Sequence, residues 1–195
     1  MTGSVRGDGV ALPRGFKAAA NRIAVGLRIQ ENLAASAPID TFSLAERVGI
    51  AVSPLTAFAE SRPEAVAQLV GDTGAFSALL LSDGNGRRTA ILNDTHSMSR
   101  QNSSLAHEVA HTLLAHPLEV ISVRVDCRDF DGDLEAEANC LAGCILVPNE
   151  AAWRIVGSGM DLHSAQKQYG VSRQMLEYRL NVSGARHRLA RLRAG

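Results

Sequence analysis

The sequence predicts a mixed fold, mostly helical with one strand and one β-hairpin. Three observations carry it: apolar residues recur at helical spacing in several stretches, two apolar runs flank the turn Ser82-Asp83-Gly84-Asn85-Gly86, and Ile50-Ala51-Val52 follows a helix-ending glycine. With 195 residues, 46% hydrophobic and 21% charged, the chain suits one ordinary domain, or a catalytic domain with a small appendage, and fits neither a disordered nor a fibrous class. Twenty Lys+Arg balance twenty Asp+Glu, which removes any whole-protein electrostatic case for nucleic acid or an anionic membrane.

Taken in order, Met1 to Pro13 is rich in Gly, Ser and Val without a period and is expected to be a mobile leader. From Arg14 to Ala35 the spacing of Phe16, Ala20, Ile23, Ala24 and Leu27 predicts one amphipathic helix, stopped before Pro38. A short helix follows over Leu44 to Val48, capped by Thr41 or Ser43 and ended by Gly49 ahead of the strand Ile50 to Val52. Phe76 to Leu81 and Thr89 to Leu92 form the hairpin. Ser103 or Ser104 caps a helix from about Leu105 to Ala115, closed by Pro117. A further helix spans about Leu134 to Leu146 and ends at Pro148. Glu150 to Leu180 is helical with breaks at Gly157-Ser158-Gly159 and Gly170.

Charge is distributed unevenly. Asp126, Asp129, Asp131, Asp133, Glu135 and Glu137 face a lone Arg128, a density that suggests a solvated loop or cation ligands. Past Arg173 the chain is basic, with Arg179, Arg186, Arg188, Arg191 and Arg193 against Glu177. No stretch approaches the roughly 18 uncharged apolar residues that span a bilayer, and Met1 to Pro13 lacks an apolar export core, so a cytoplasmic location without a membrane partner is expected. Cys127, Cys140 and Cys144 are an odd set without an export signal, expected as reduced thiols.

The chemistry lies in His107-Glu108-Val109-Ala110-His111, an H-E-x-x-H pattern. On a helix the two histidines stand one turn apart at ~40° of rotation, so both imidazoles can reach one zinc ion. Glu108, ~100° round from His107, lies beside the metal, where its carboxylate can take a proton from water as general base. Two histidines and a glutamate could share a solvent face by chance. Leu105, Ala106, Val109, Ala110, Leu113 and Leu114 make this an apolar helix, where unpaired charges are costly, and a metal accounts for it better.

A catalytic zinc needs a third protein ligand and an open position. Glu135 is favoured, because Asn139 follows one turn on, where its amide can hydrogen-bond the other ring nitrogen of a ligand histidine; Glu137 and the aspartates stay open. His116, ~140° round from His111 and followed by Pro117, is a poor ligand and is expected only as a helix-terminal residue. Cys140 and Cys144 fall ~140° and ~180° from Glu135 and are expected as small buried hydrophobes. For oxyanion stabilisation His163, Tyr169 and Arg124 are the candidates.

These residues resemble the ImmA/IrrE family of bacterial zinc peptidases, over roughly Arg14 to Leu180. The likeness is most specific in Leu105 to His111 and in Glu135-Ala136-Glu137-Ala138-Asn139-Cys140-Leu141-Ala142 through Leu146-Val147-Pro148, which is similar to the family's E-x-x-A-N-x-F-A-x-x-L-L-x-P segment with Leu141 in place of phenylalanine. Pro38-Ile39-Asp40, Leu44 to Ile50 and Tyr169-Gly170-Val171-Ser172 add to it. The resemblance implies an α+β, zincin-like fold with a small sheet beside the active helix. It implies one zinc per chain held by His107, His111 and Glu135, and regulatory cleavage of a partner DNA-binding repressor. The expected organisation is a leader over 1–13, a peptidase domain over 14–148, a helix-turn-helix-like segment over 149–182 and a basic tail over 183–195.

In that last segment Ser172 caps a helix after the Gly170 turn, and Arg173 and Arg179 would contact phosphates if it bound DNA. Gln166 stands four before Gly170, where helix-turn-helix motifs prefer a small residue, so packing on the catalytic domain or gripping a protein substrate is favoured and DNA binding is expected to be weak. Two other classes remain: a DNA-binding regulator, or a partner-binding module, using the zinc fold as scaffold. The intact Glu108 argues for the enzyme, since a scaffold has no need of a carboxylate beside the metal.

Overall fold

A computed structural model describes residues 12–71, 76–83, 85–117 and 132–194. Among these residues the protein is an α+β structure of nine helices and one three-stranded sheet. The leader lies almost wholly outside them, as do Asp126, Asp129, Asp131, Cys127 and Arg124.

Helix α1 (Phe16–Gln30) buries Ala20, Ala24 and Leu27 but ends before the expected Ala35. Asn32 takes a left-handed φ of 55°, and Leu33 N–H closes back on Arg28 O at 2.8 Å, a helix-terminating turn that asparagine tolerates. Arg28 itself is fully buried and donates to the carbonyls of Ala24 (2.9 Å), Ala37 (2.7 Å) and Ile145 (2.7 Å). Burial lowers it to about 10, so it stays charged, tying α1 and the loop after it to the backbone at Ile145.

Helix α2 (Thr41–Arg47) is capped by Asp40, whose carboxylate accepts from Phe42 N (2.9 Å) and Ser43 N (3.4 Å). Thr41 and Ser43, the expected caps, serve elsewhere: Thr41 donates to Asn102 Oδ1 at 3.0 Å and Ser43 to the capping carboxylate at 3.0 Å.

Strand β1 (Ile50–Pro54) leads through a 3-10 turn (Leu55–Phe58) into α3 (Pro63–Gly71), for which the sequence carried no expectation. The predicted hairpin forms β2 (Ala78–Ser82) and β3 (Arg88–Leu92), antiparallel with Leu80 opposite Ala90. Asp83 holds its turn by accepting from Asn85 N (2.9 Å) and Arg87 N (2.8 Å). Strand β3 is central, with β1 parallel on its other side.

Helix α4 (Met98–Leu113) carries the H-E-x-x-H pattern and starts seven residues before the expected Leu105. Its polar first turns are anchored by Gln101, which donates to Asp94 O (3.2 Å) and His96 O (2.7 Å), and not by a serine cap. It packs against α5 (Gly132–Leu146), with Ala106 and Ala110 on one helix and Ala138 and Ala142 on the other, small side chains that permit close approach.

Helices α6 (Asn149–Ser158), α7 (Leu162–Tyr169), α8 (Arg173–Val182) and α9 (Ala185–Ala194) complete the chain. The basic end is helical over Ala185–Ala194. Helix α9 packs on α6, and its Arg188 guanidinium lies 4.7 Å from the Trp153 ring centre. Among the described residues no helix is long and apolar enough to cross a membrane.

Candidate metal centre

The 3.6-residue period of α4 presents His107 and His111 on one face, with their Nε2 atoms 2.9 Å apart and their rings edge-on at 4.5 Å between centres. From the first turn of α5, Glu135 reaches between them: Oε2 lies 3.3 Å from His107 Nε2 and Oε1 lies 3.2 Å from His111 Nε2. One ligand atom from each of the three residues falls within 4.8 Å of the others. Three ligands about 2.0–2.2 Å from one tetrahedral ion stand ~3.4 Å apart, so the spacing suits a single small cation.

The protonation states suit it too. His111 is pulled down to about 4, first by burial, then by His107 beside it, against the opposing pull of Glu135. His107 is also lowered, chiefly by burial. Both imidazoles are thus neutral near pH 7 and keep a lone pair for a metal, and two neutral imidazoles with one carboxylate are a donor set that zinc takes.

Of the other acids left open by the sequence, Glu137 points elsewhere and Asp133 is exposed and outside this group. Glu108 lies next to the cluster, its carboxyl raised to about 7, by burial first and by Glu135 second. Asn139 hydrogen-bonds the His107 side chain, in line with its spacing from Glu135.

His116 differs from its expectation. The ~140° offset assumed a helix running to Ala115, but α4 ends at Leu113 and Ala115 adopts a left-handed φ of 54°. That turn folds His116 back, so its Nδ1 sits 3.0 Å from His111 Nδ1 and its Nε2 sits 3.4 Å from Glu137 Oε2. It is no member of the three-ligand group, but it is part of the site. Pro117 marks the end of the helix, because the residue before a proline avoids the helical region, but the left-handed turn at Ala115 that redirects His116 has no such marker.

Cys140 and Cys144 lie on the other side of α5, both buried. Cys140 borders a cavity of about 250 Å³ lined also by Lys17, Asn149, Tyr178 and Arg179. Both cysteines lie in the hydrophobic core as expected, and a hydrogen bond from the Cys144 thiol, with Arg179 and Lys17 nearby, holds Cys140 down to about 7. Tyr169 is withdrawn from any oxyanion role, being buried with its hydroxyl donating to Ser36 O at 2.8 Å. Arg179 is likewise unavailable to phosphate: it is 4% exposed and donates to Val147 O (2.8 Å) and Asn149 Oδ1 (3.0 Å).

Against known proteins, a family model described as Peptidase_M78, IrrE N-terminal-like domain, matches residues 45–181. Those residues include all of α4 and α5. No curated protein matches the chain.

Proposed function

The chain belongs to the IrrE N-terminal-like family of peptidases, and from that premise we propose that it is a cytoplasmic, zinc-dependent endopeptidase that cuts a partner transcriptional repressor at a specific site. The observation that carries this reading is the convergence of His107, His111 and Glu135 on one point with the half-buried Glu108 beside it. Zinc, when bound there, supplies Lewis acidity and lowers the pKa of water toward neutrality.

The chain's own groups do the rest. His107 and His111 offer neutral nitrogens because burial disfavours their charged forms, and Asn139 holds the His107 ring. Glu108 is the proton acceptor: a carboxyl poised near 7 can take a proton at neutral pH and return it to the leaving amine. A cation among the three ligands favours its ionised form, which is the form a base needs.

The test is co-expression with the repressor encoded beside the gene, scored for a cleaved product, with Glu108→Gln as the paired variant. A repressor that is bound but never cut by the parent chain supports instead a partner-binding or DNA-binding regulator that uses the metal fold as scaffold.

A further inference from the structure

We propose that His116 and Glu137 form a hydrogen-bonded relay that fixes the ring orientation and tautomer of His111, which makes His116 a positioning residue for the metal centre. This deepens the metal reading above and rests on it.

Hydrogen accounting along the chain of contacts admits one arrangement. A neutral imidazole carries one hydrogen, on one of its two nitrogens. His111 Nε2 faces the point shared with His107 and Glu135, so a lone pair offered there leaves the hydrogen on Nδ1. Nδ1 looks at His116 Nδ1 across 3.0 Å, a distance at which one nitrogen donates and the other accepts. His116 Nδ1 therefore accepts, and its own hydrogen sits on Nε2. That nitrogen faces Glu137 Oε2 at 3.4 Å, where the carboxylate oxygen accepts. The run reads His111 to His116 to Glu137, each member donating to the next. Reversing it would turn a lone pair toward the carboxylate and would put a hydrogen on His111 Nε2, where the metal has to bind.

The backbone delivers His116 to this place by an unusual route. His116 N–H bonds to His111 O at 3.0 Å and Ala115 N–H to Thr112 O at 3.2 Å, the paired bonds of a helix-ending turn whose left-handed residue is usually glycine. Here it is Ala115, at φ 54°, a conformation that strains a residue with a Cβ. Pro117 then bars His116 from continuing the helix. The His116 side chain is 5% exposed and its ring lies edge-on to His111, 5.0 Å between centres. Asn139 orients His107 from α5, and the relay gives His111 its counterpart from the same helix through Glu137.

The experiment compares zinc affinity, by competition with a chromogenic chelator, and the visible spectrum of the cobalt-substituted protein, across the parent, His116→Leu, His116→Gln and Glu137→Leu. Glutamine can accept from His111 with its carbonyl and donate to Glu137 with its amide, whereas leucine can do neither. Loss of such an orienting contact typically weakens metal binding about 10–100-fold. The expected result is a loss in that range with an altered cobalt spectrum for His116→Leu, recovery of most of the affinity in His116→Gln, and a smaller loss for Glu137→Leu. Equal weakening by leucine and glutamine would mean that His116 only fills space, and would overturn the relay. A folded His116→Leu that binds zinc like the parent would do the same. Should His116→Leu fail to fold, Glu137→Leu decides, since Glu137 is partly exposed and its replacement leaves the core intact; unchanged affinity and spectrum there overturn the proposal. A parent that binds no zinc at all would instead bring down the metal reading, and the relay with it.

Discussion

Helices α4 and α5 carry the H-E-x-x-H pattern and its candidate third ligand, helices α7 and α8 span the segment that the sequence suggested as helix-turn-helix-like, and the two pairs settle their polar groups in opposite ways. Between α4 and α5, side chains meet side chains: His107, His111 and Glu135 crowd their donor atoms together, and His116 and Glu137 extend the cluster. Around α7 and α8 the polar groups end largely on main chain: Tyr169 on Ser36 O, Arg179 on Val147 O, and Asn102 of α4 on Gly170 O at 3.0 Å. A polar group that finds a carbonyl is satisfied and holds structure. Donor atoms aimed at one another, with too few hydrogens between them, hold a place for a ligand.

The sharpest way to break this contrast is at Glu108. Glu108→Gln should keep the metal and the fold but slow repressor cleavage about 10²–10⁴-fold, the usual worth of a general base, with binding little changed. His107→Ala is its complement: a ligand is lost, so most of the zinc should go and thermal stability with it, because metal binding couples to folding. Elemental analysis beside a gel assay separates the two. A fully zinc-loaded His107→Ala would sink the ligand assignment, and undiminished cleavage by Glu108→Gln would sink the base.

The contrast is next sharpened by two of the left-handed helix ends, Ala115 after α4 and Gly170 after α7. A Cβ on Gly170 (φ 60°) would stand 2.6 Å from Asn102 Nδ2, so Gly170→Ala must both strain the backbone and displace the bond that ties this turn to α4. A loss of about 2–3 kcal/mol is expected, the sum of a left-handed penalty and one hydrogen bond. Ala115→Gly should go the other way, gaining up to about 1 kcal/mol by releasing strain. Chemical denaturation of the zinc-loaded variants measures both, and a Gly170→Ala protein as stable as the parent would show that the turn is not bolted to α4.

A somewhat smaller effect appears when metal is stripped. Glu108 in the folded chain is raised from 4.5 to about 7, so its contribution to stability is complete below about 4.5 and is lost as pH rises through 7, where an ionised carboxylate must stay buried. Glutamine carries no such penalty. Metal-free Glu108→Gln should therefore be more stable than the metal-free parent at pH 8, and the gap should narrow as pH falls through 5 and vanish below about 4.5. A gap of the same size at both pH values would show that burial is not what raises the carboxyl.

Legibility followed the same division. His107 and His111 could be paired from spacing alone because four residues are one helical turn, and Glu135 and Asn139 repeat that spacing on α5, so the structure finds all four facing one region. The hairpin was legible because Asp83 and the glycines beside it leave few other conformations. His116 escaped because its position depends on a left-handed alanine, and nothing in an alanine announces that conformation. The start of α4 escaped because Met98 to Ser104 is nearly all polar and its anchor, Gln101, reaches main chain that only the fold brings near. At α2 three capping residues stood within four positions, and local hydrogen-bond geometry chose Asp40.

The smallest expected effect concerns DNA. Helix α8 turns Leu176 and Leu180 inward, with Arg179 spent on Val147 O and Asn149, which leaves Arg173, Gln174, Glu177, Tyr178 and Asn181 outward. Arg173 is the one α8 arginine still free to meet phosphate, and it is already paired with Glu177 at 2.9 Å, a surface contact worth only about 0.3–0.5 kcal/mol. Phosphate contacts position a protein without reading bases, and an acid on the same face repels the backbone. The chain should therefore bind two unrelated duplexes equally and weakly, and log affinity should fall with log salt by ~0.9 for each phosphate contact. Arg173→Ala should reduce that slope by ~1 at most. Arg179→Lys should leave the slope alone while lowering stability, because its nearly buried guanidinium holds the α5–α6 junction. Fluorescence anisotropy across a salt series reads both. Tight binding to one duplex alone at physiological salt would reverse the comparison between the two helix pairs, since α8 would then be reading bases with side chains that its packing leaves looking incidental.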